Sequence, residues 1–223
     1  MAYRRTPNVS RKMAARQRAI LDAARSLVSE GGMAAVQMVP VAARAGIAAG
    51  TVYRYFPAKS DLVAAMVAAH TEAELAAIRD AADAAPGPLS ALAAALTTFA
   101  ARATTRRLLS YAILAEPVEP DIDAVRQGFR QALAAELAQR IDAGVSRSLL
   151  ASVDPRFAAA TLIGAAVEGL IGPLVPSAGE ELAAMRTSVQ TFTLFSLRGL
   201  GMLDARARGL VVQTALPLPA DAA

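Results

Sequence analysis

The 223-residue sequence contains no cysteine, no tryptophan and only one histidine, and aromatic residues of any kind are few. A chain without cysteine forms no disulfide and no thiolate metal site, and we expect neither a metal nor a cofactor. This absence also fits a reducing compartment, so we predict a cytoplasmic protein. The N-terminus is basic and polar and lacks the apolar core of a signal peptide, so no export signal is expected.

The motifs of common enzymes are missing as well. There is no G-x-S-x-G elbow, no H-E-x-x-H pair and no glycine-rich loop after a strand. The adjacent carboxylates Glu180 and Glu181 point in different directions on a helix, so they cannot flank one bond. We therefore predict no catalytic residues. An all-helical enzyme or small-molecule-binding protein without a DNA role stays as the alternative, because helical acid–base sites leave weak sequence patterns.

What the sequence does contain favours helices. Apolar residues make up 55% of it, much of this is alanine, and the alternating pattern of strands is scarce. We therefore predict an all-α protein. The predicted helices cover about Arg11–Glu30, Met38–Ala45, Ala49–Phe56, 61–83, Leu89–Arg102, Thr105–Ala115, Asp121–Ala143, Pro155–Leu174 and Gly179–Leu203.

Charge divides the chain in two. Residues 1–60 hold ten Lys and Arg against two acids, a net charge of +8, and the remainder holds thirteen against seventeen, a net charge of −4. The two values sum to the +4 of the whole chain. A basic head on an acidic body is typical of a nucleic-acid-binding domain joined to a domain of another kind.

The stretch "AGIAAGTVYRYFPAKSDLV" (45–63) places three aromatic residues beside basic ones. Two short helices joined at Gly46, with the small Ala42 where they cross, form a helix-turn-helix. The second helix of this motif directs its N-terminal residues at base edges in the major groove. In this chain those residues are Ala49, Gly50, Thr51 and Tyr53.

Residues of about 16–63 resemble the DNA-binding domain of the TetR family of transcriptional regulators. The resemblance is carried by "RAILDAARSLVSEGG" (18–32) and "VAARAGIAAGTVYRYFPAKSDLV" (41–63). It implies a three-helix helix-turn-helix domain at 1–60 and a helical ligand-binding and dimerisation domain at 61–223. It also implies a homodimer that binds a pseudo-palindromic double-stranded DNA operator and is released by a small ligand. The DNA-contacting positions of the family fall on Gly50, Thr51, Tyr53, Arg54, Tyr55 and Lys59.

Three positions depart from the family's pattern. Gln37 stands where a threonine usually caps a helix, and Ala48 and Ala49 stand where serine and a basic residue are common. Alanine and glutamine are poor N-caps, so phosphate contacts are lost here. Arg44, Arg54 and the basic arm that includes Arg4, Arg5, Arg11 and Lys12 are expected to compensate.

The run "FAAATLIGAAVEGLIGPLVP" (157–176) is apolar on nearly every side. A helix of this kind must be buried all round, and Gly164 and Gly169 allow a second helix to approach closely. The resemblance places the dimer interface in the helices near 155–174 and 179–203. A membrane span is the competing interpretation, but Glu168 in the middle of the run makes it unfavourable.

A pocket between helices of the second domain is expected to bind a small, largely apolar ligand. The candidate residues are Met66, His70, Phe99, Tyr111, Phe129, Glu168 and Phe192.

Overall fold

The computed structural model describes residues 7–175 and 181–217, and across these ranges the chain forms helices and turns without a β-strand. The prediction of an all-α fold is therefore confirmed. Arg4 and Arg5 of the basic arm, residues 176–180 at the predicted start of the last helix, and the end of the predicted second domain lie outside the described residues.

Three helices form the N-terminal unit: α1 (Pro7–Gly31), α2 (Met38–Arg44) and α3 (Ala49–Tyr55). The apolar stripe of α1 packs inward through Ile20, Ala24 and Val28, all fully buried. A short 3₁₀ turn (Met33–Ala35) then leads into α2.

The turn between α2 and α3 is built as the sequence predicts. Gly46 has φ +66°, a left-handed conformation that favours glycine. The Gly46 N–H donates to the Ala43 carbonyl at 3.2 Å, and the Ile47 N–H donates to the Ala42 carbonyl at 3.0 Å, which closes the end of α2. Ala42 is buried where the two helices meet, so a small side chain is needed there.

The long helix α4 (Lys59–Asp83) leaves this unit and continues into the second one. Its start lacks a side-chain cap at Ala58, although Asp61 accepts the Ala58 N–H at 3.0 Å. Farther along, α4 is tied to a later helix, α7 (Pro120–Val145), by two ion pairs: Arg79 with the buried Glu136 at 2.7 Å, and Asp83 with Arg140 at 2.8 Å.

The second unit is arranged around α5 (Pro88–Thr105), most of whose residues are buried. Around it lie α4, α6 (Arg107–Leu114), α7 (Pro120–Val145), α8 (Pro155–Ala166), α9 (Leu182–Gly199) and α10 (Asp204–Gln213). Proline occupies the first position of α5, α7 and α8. Proline is favoured there because its missing N–H would have no partner inside the helix.

Two predicted helices end differently from what we expected. The helix predicted to run to Leu174 changes to a single π-helical turn at Val167–Ile171 and stops at Gly172. The Gly172 N–H donates to the Val167 carbonyl at 2.6 Å, and Arg107 donates to the carbonyls of Ile171 and Gly172 at 3.1 and 2.8 Å. The arginine thus satisfies backbone acceptors at the end of this helix.

The last predicted helix stops at Gly199 and not at Leu203. Gly201 adopts φ +83°, and a β-carbon there would lie 2.6 Å from the side chain of Ala151. The left-handed residue reverses the chain, and α10, which the sequence analysis did not predict, follows it.

Within the described residues, no helix has the length and apolar character that crossing a membrane requires. The apolar run that begins at residue 157 is divided by the π turn at Val167–Ile171, so it does not form one long helix.

Candidate nucleic-acid interface and adjoining cavity

Helix α3 is anchored to the N-terminal unit by one face only. Val52 and, just beyond the helix, Phe56 are buried in the core. On the opposite side Gly50, Tyr53 and Arg54 are exposed, and the Tyr53 side chain keeps 49% of its surface accessible. The leading end of this helix is therefore open to a partner along its outer surface.

Gly50 has no structural reason to be glycine within its own chain. A β-carbon built at this position meets nothing within 4 Å, and its φ is not positive. Glycine at an exposed helix position allows something outside the chain to approach the backbone closely. A nucleic-acid backbone or base edge against the start of α3 would be such an approach.

The N-termini of α2 and α3 carry no side-chain cap. Gln37 and Ala48 occupy the N-cap positions, and neither side chain accepts a hydrogen bond from the first turn. The free N–H groups at the start of each helix are left available to an outside acceptor. Phosphate oxygens satisfy such groups well, because the helix dipole adds a partial positive charge.

Two cations near α3 have no acidic partner within the described residues. Arg54 lies over the ring of Tyr55, 5.9 Å from its centroid, and Lys59 is the first residue of α4. Arg44 differs from both, because it donates to both carboxylate oxygens of Glu30 at 2.6 and 2.7 Å. This guanidinium, with help from Ser26, lowers the pKa of Glu30 to about 2. The ion pair between Arg44 and Glu30 thus holds α2 against α1.

A small cavity lies in the second unit, between four helices. It is lined by His70 and Glu74 from α4, Phe99 and Ala103 from α5, Ser110 and Leu114 from α6, and Phe129 from α7. Its volume of about 10 Å³ is enough for about one water molecule.

Glu74 and His70, which both line the cavity, differ in charge and in hydrogen bonding. Glu74 accepts two hydrogen bonds from Arg102, at 2.6 and 2.8 Å, so its charge is paired. The nearest atoms of His70 and Glu74 are 3.9 Å apart, too far for a hydrogen bond. The imidazole of His70 instead meets the ring of Phe129 edge-on, with centroids 5.8 Å apart. Burial lowers the pKa of His70 to about 4, so the imidazole is neutral at pH 7.

A hydrogen bond joins the two units at the end of α6. Glu116, which follows α6, accepts the backbone N–H of Met33 at 3.0 Å. A β-carbon on the neighbouring Gly32 would lie 2.8 Å from both oxygens of this carboxylate. Helix α6, which lines the cavity through Ser110 and Leu114, is therefore linked directly to the turn that precedes α2.

Most of the N-terminal unit matches a known protein family. Residues 20–66 match the family model described as "Bacterial regulatory proteins, tetR family". Residues 20–66 belong to the TetR family. The match includes all of α2 and α3 and the first two turns of α4.

Curated relatives of this TetR-family segment are transcriptional repressors. The HTH-type transcriptional repressor KstR of Rhodococcus jostii is 51% identical over 57 residues, which cover 26% of this chain and 27% of the relative. KstR of Mycobacterium tuberculosis is 54% identical over 48 residues, which cover 22% of each protein. The match thus spans about a quarter of the relatives' length or less.

Solved structures share the fold over most of the chain. RolR in complex with its ligand resorcinol has a TM-score of 0.64 and 20% identity, covering 94% of this chain and 98% of RolR. FadR of Bacillus subtilis in complex with stearoyl-CoA has a TM-score of 0.67 and 17% identity, covering 78% and 96%. At this identity the similarity shows the fold alone, which these structures share with the chain well beyond residue 66.

The predicted DNA-contacting residues lie together around α3 of the TetR-family segment. Gly50, Tyr53 and Arg54 are exposed, and Ala49, Thr51, Tyr55 and Lys59 are half-buried. Arg44 lies on α2 with its guanidinium engaged by Glu30. Their contacts with DNA stay predictions.

The predicted ligand-binding residues are more scattered. His70, Phe99 and Phe129 line the cavity. Met66 and Phe192 are buried elsewhere in the core, Tyr111 is half-buried, and Glu168 is exposed, so these four do not line it. Sequence analysis missed Glu74, Ala103, Ser110 and Leu114. The i, i+4 spacing of His70 and Glu74 on one helix face is the signal that could have found Glu74.

Proposed function

We propose that the chain is a cytoplasmic, homodimeric transcriptional repressor that binds a pseudo-palindromic DNA operator and is released by a small, largely apolar ligand. The N-terminal unit, up to about residue 60, reads the DNA, and the helical remainder binds the ligand and the second subunit. Helix α4 belongs to both units, because it begins at Lys59 and ends at Asp83.

The observation that carries this proposal is the outward-facing start of α3 on a TetR-family segment. Gly50 faces open space, Tyr53 and Arg54 are exposed beside it, and the uncapped starts of α2 and α3 supply N–H donors. Such a helix enters the major groove, and its flanking groups hold the phosphates. Arg54 and Lys59 add positive charge without having to break an internal ion pair.

The faces left uncovered on α8 and α9 support a homodimer. On α8 the exposed residues Phe157, Thr161 and Gly164 recur at helical spacing on one side, and Glu168 continues the stripe into the π turn. On α9 Phe195 is 64% exposed. Large exposed aromatic residues on helices are typical of faces that pack against another subunit.

The contact between α6 and the N-terminal unit gives the ligand a route to the DNA-reading helices. A ligand larger than one water molecule must displace α6 or its neighbours to enter the cavity. Displacement of α6 would pull on Glu116, which holds the Met33 N–H in front of α2. The ligand thereby favours a dimer whose two α3 helices are wrongly spaced for the operator, and by linkage DNA weakens ligand binding by the same factor.

The test is selection of bound DNA from a random pool with the full-length protein at about 0.15 M salt. We expect a two-fold-symmetric site whose half-sites are about one helical turn apart, or a multiple of it. Enrichment of an asymmetric site would contradict the dimer. No enrichment, with affinity that vanishes at this salt concentration, would overturn sequence-specific binding.

A further inference from the structure

We infer that the cavity between α4, α5, α6 and α7 binds the hydroxyl end of an uncharged, otherwise apolar molecule, an alcohol or a phenol, through His70 and Ser110. This inference rests on the proposed function, because it takes the cavity to be the ligand site of the repressor. It names the chemical class of ligand and the two residues that recognise it.

The first step concerns two polar side chains without partners. His70 is 4% exposed and Ser110 is 6% exposed, yet neither side chain makes a hydrogen bond to any residue that the structure describes. Buried polar groups in proteins are nearly always hydrogen-bonded, to the protein, to water or to a ligand. Both residues line the same cavity. No polar side-chain atom among the described residues is both fully enclosed and without a partner, so the free polar atoms of His70 and Ser110 are reached from this cavity and can bind a molecule there.

The second step concerns the charge that the cavity accepts. Arg102 binds both oxygens of Glu74, so neither member of this pair is free for a ligand of opposite sign. A ligand carboxylate would enter beside the carboxylate of Glu74, and a ligand cation would be repelled by Arg102 and Arg106, whose charges both act on His70. An uncharged polar group avoids both penalties.

The third step concerns hydrogen-bond direction. A neutral imidazole has one N–H donor and one nitrogen acceptor, and a serine hydroxyl donates and accepts. A ligand hydroxyl can donate to the nitrogen of His70 while it accepts from Ser110, so one group satisfies both residues. A ketone accepts hydrogen bonds but offers no donor to the acceptor nitrogen of His70, and a hydrocarbon offers neither a donor nor an acceptor.

The apolar lining indicates where the rest of the molecule lies. Phe99, Leu114 and Phe129 surround the polar pair, so an apolar body placed among them is removed from water. The described cavity holds about one water molecule, so binding requires these side chains and helix α6 to move outward.

Three probes with the same body and different polar ends test the inference: 4-propylphenol, propylbenzene and 4-propylbenzoate. Each is titrated calorimetrically into the full-length protein. We expect the phenol to bind about tenfold or more tightly than either of the others, since a site built for a hydroxyl discriminates strongly against analogues that lack it. Equal affinity of phenol and propylbenzene, tighter binding of the benzoate, or no binding of the phenol would overturn the inference.

Two variants locate the hydroxyl. Ser110→Ala removes one oxygen and should reduce the preference for phenol over propylbenzene severalfold, and His70→Leu should do the same. Ser196→Ala is the matched control, because Ser196 is equally buried but donates to the Phe192 carbonyl at 2.8 Å and lies away from the cavity. An unchanged preference in Ser110→Ala, or an equal loss in Ser196→Ala, would contradict the assignment.

A direct readout does not depend on any variant. Because His70 is the only histidine of the chain, the imidazole nitrogen signals of the labelled protein report on this site alone. The phenol should shift one nitrogen toward the value of a hydrogen-bond acceptor, and propylbenzene should not. The absence of this shift on phenol saturation would overturn the role of His70.

The outcome is separable from that of the proposed function. A protein that selects a symmetric operator but shows no preference for the phenol fails only here. A protein that binds the phenol through His70 and Ser110 but selects no operator retains this site and loses the repressor role.

Discussion

Glycine at position 50 contributes nothing to its own helix, and its absence of a side chain matters only to a molecule outside the chain. Glycine is among the poorest helix formers, and alanine stabilises a helix by up to about 1 kcal/mol relative to it. A protein that keeps glycine at an exposed position of α3, where a β-carbon would meet nothing, gives up some stability there. The close approach of DNA that we propose would explain the choice.

Gly50→Ala should therefore reduce operator affinity without reducing the stability of the fold. We expect a free energy of unfolding that is unchanged or raised by up to about 1 kcal/mol, and operator affinity reduced about tenfold, or about 1.4 kcal/mol. Urea unfolding and DNA titration at fixed salt measure the two quantities. Gly128→Ala is the control, because Gly128 is also exposed and equally open on α7. Loss of affinity in both variants would contradict the contact at Gly50.

His70 makes the stability of the fold depend on pH. Its pKa is lowered from 6.5 to about 4, chiefly by burial and further by Arg106, Arg25 and Arg102, while Glu74 opposes the shift. Below pH 6.5 the unfolded chain takes up a proton that the folded chain refuses, so stability is complete above this pH and is lost as the pH falls toward 4.

The free energy of unfolding should accordingly fall by about 2 kcal/mol between pH 7 and pH 5. Urea unfolding of protein without a histidine tag measures this slope. In His70→Gln the slope over this range should be largely absent, because the chain has no other histidine. A slope of the same size in the variant would show that another group is responsible.

Helix α6 is held from several sides although it is only eight residues long. It lines the cavity with Ser110 and Leu114, and the segment after it reaches the N-terminal unit through Glu116. From the other side, Arg126 and Arg130 of α7 donate to backbone carbonyls at its end, including that of Leu114 at 3.1 Å. Because α6 is short and is held on both sides, we expect a displacement of α6 to move the residues that are bonded to it.

Glu116→Ala should weaken the coupling between the two units. Removing the carboxylate leaves the buried N–H of Met33 unpaired, which costs about 1–3 kcal/mol of stability. The factor by which a bound ligand reduces operator affinity should shrink, while the affinity for ligand alone changes little. Fluorescence titration of operator DNA with and without 4-propylphenol measures this factor, and Glu116→Gln, which keeps an acceptor oxygen, should retain it. If a bound ligand reduces operator affinity by the same factor in Glu116→Ala as in the unaltered protein, α6 does not carry the coupling between ligand and DNA.

In the single chain, helices α8 and α9 expose large apolar side chains to solvent. Phe157 on α8 and Phe195 on α9 are 69% and 64% exposed, although the second unit has a well-filled interior. Gly164 lies on the same side of α8 as Phe157, and a β-carbon there meets nothing within 4 Å of its own chain. A second copy packed on this face would bury these residues.

Gly164→Leu should leave the single chain folded and disturb the dimer. The added side chain enters the space that a partner helix would occupy, so sedimentation equilibrium should show monomer or aggregate, and operator affinity should fall because the two half-sites are no longer bound together. Gly128→Leu adds the same side chain at another exposed glycine and should stay dimeric. A Gly164→Leu variant that sediments as the normal dimer would refute this interface.

Short-range patterns were sufficient for most of the helices, though not for α10, and for the helix-turn-helix. The conformation of Gly46, the burial of Ala42 and the end of α3 before Pro57 each depend on a few adjacent residues, so a local pattern predicts them well. The missing caps at Gln37 and Ala48 could be predicted for the same reason. The end of the helix before Gly172 was placed a few residues too late and the reversal at Gly201 was missed, because Arg107 and Ala151, which lie far away in sequence, shape the chain at these points.

The cavity could be predicted only in part. Phe99, Phe129 and His70 were named because a ligand pocket between helices is expected to be mostly apolar with a few polar groups. Ser110 was missed because a buried serine is ordinary when its hydroxyl has a partner, and whether it has one depends on how residues about 40 positions apart are packed together. Local sequence thus accounts for the helices and the DNA-reading motif, whose interactions are short-range, whereas the packing of four separate helices creates the unpaired polar groups of the cavity.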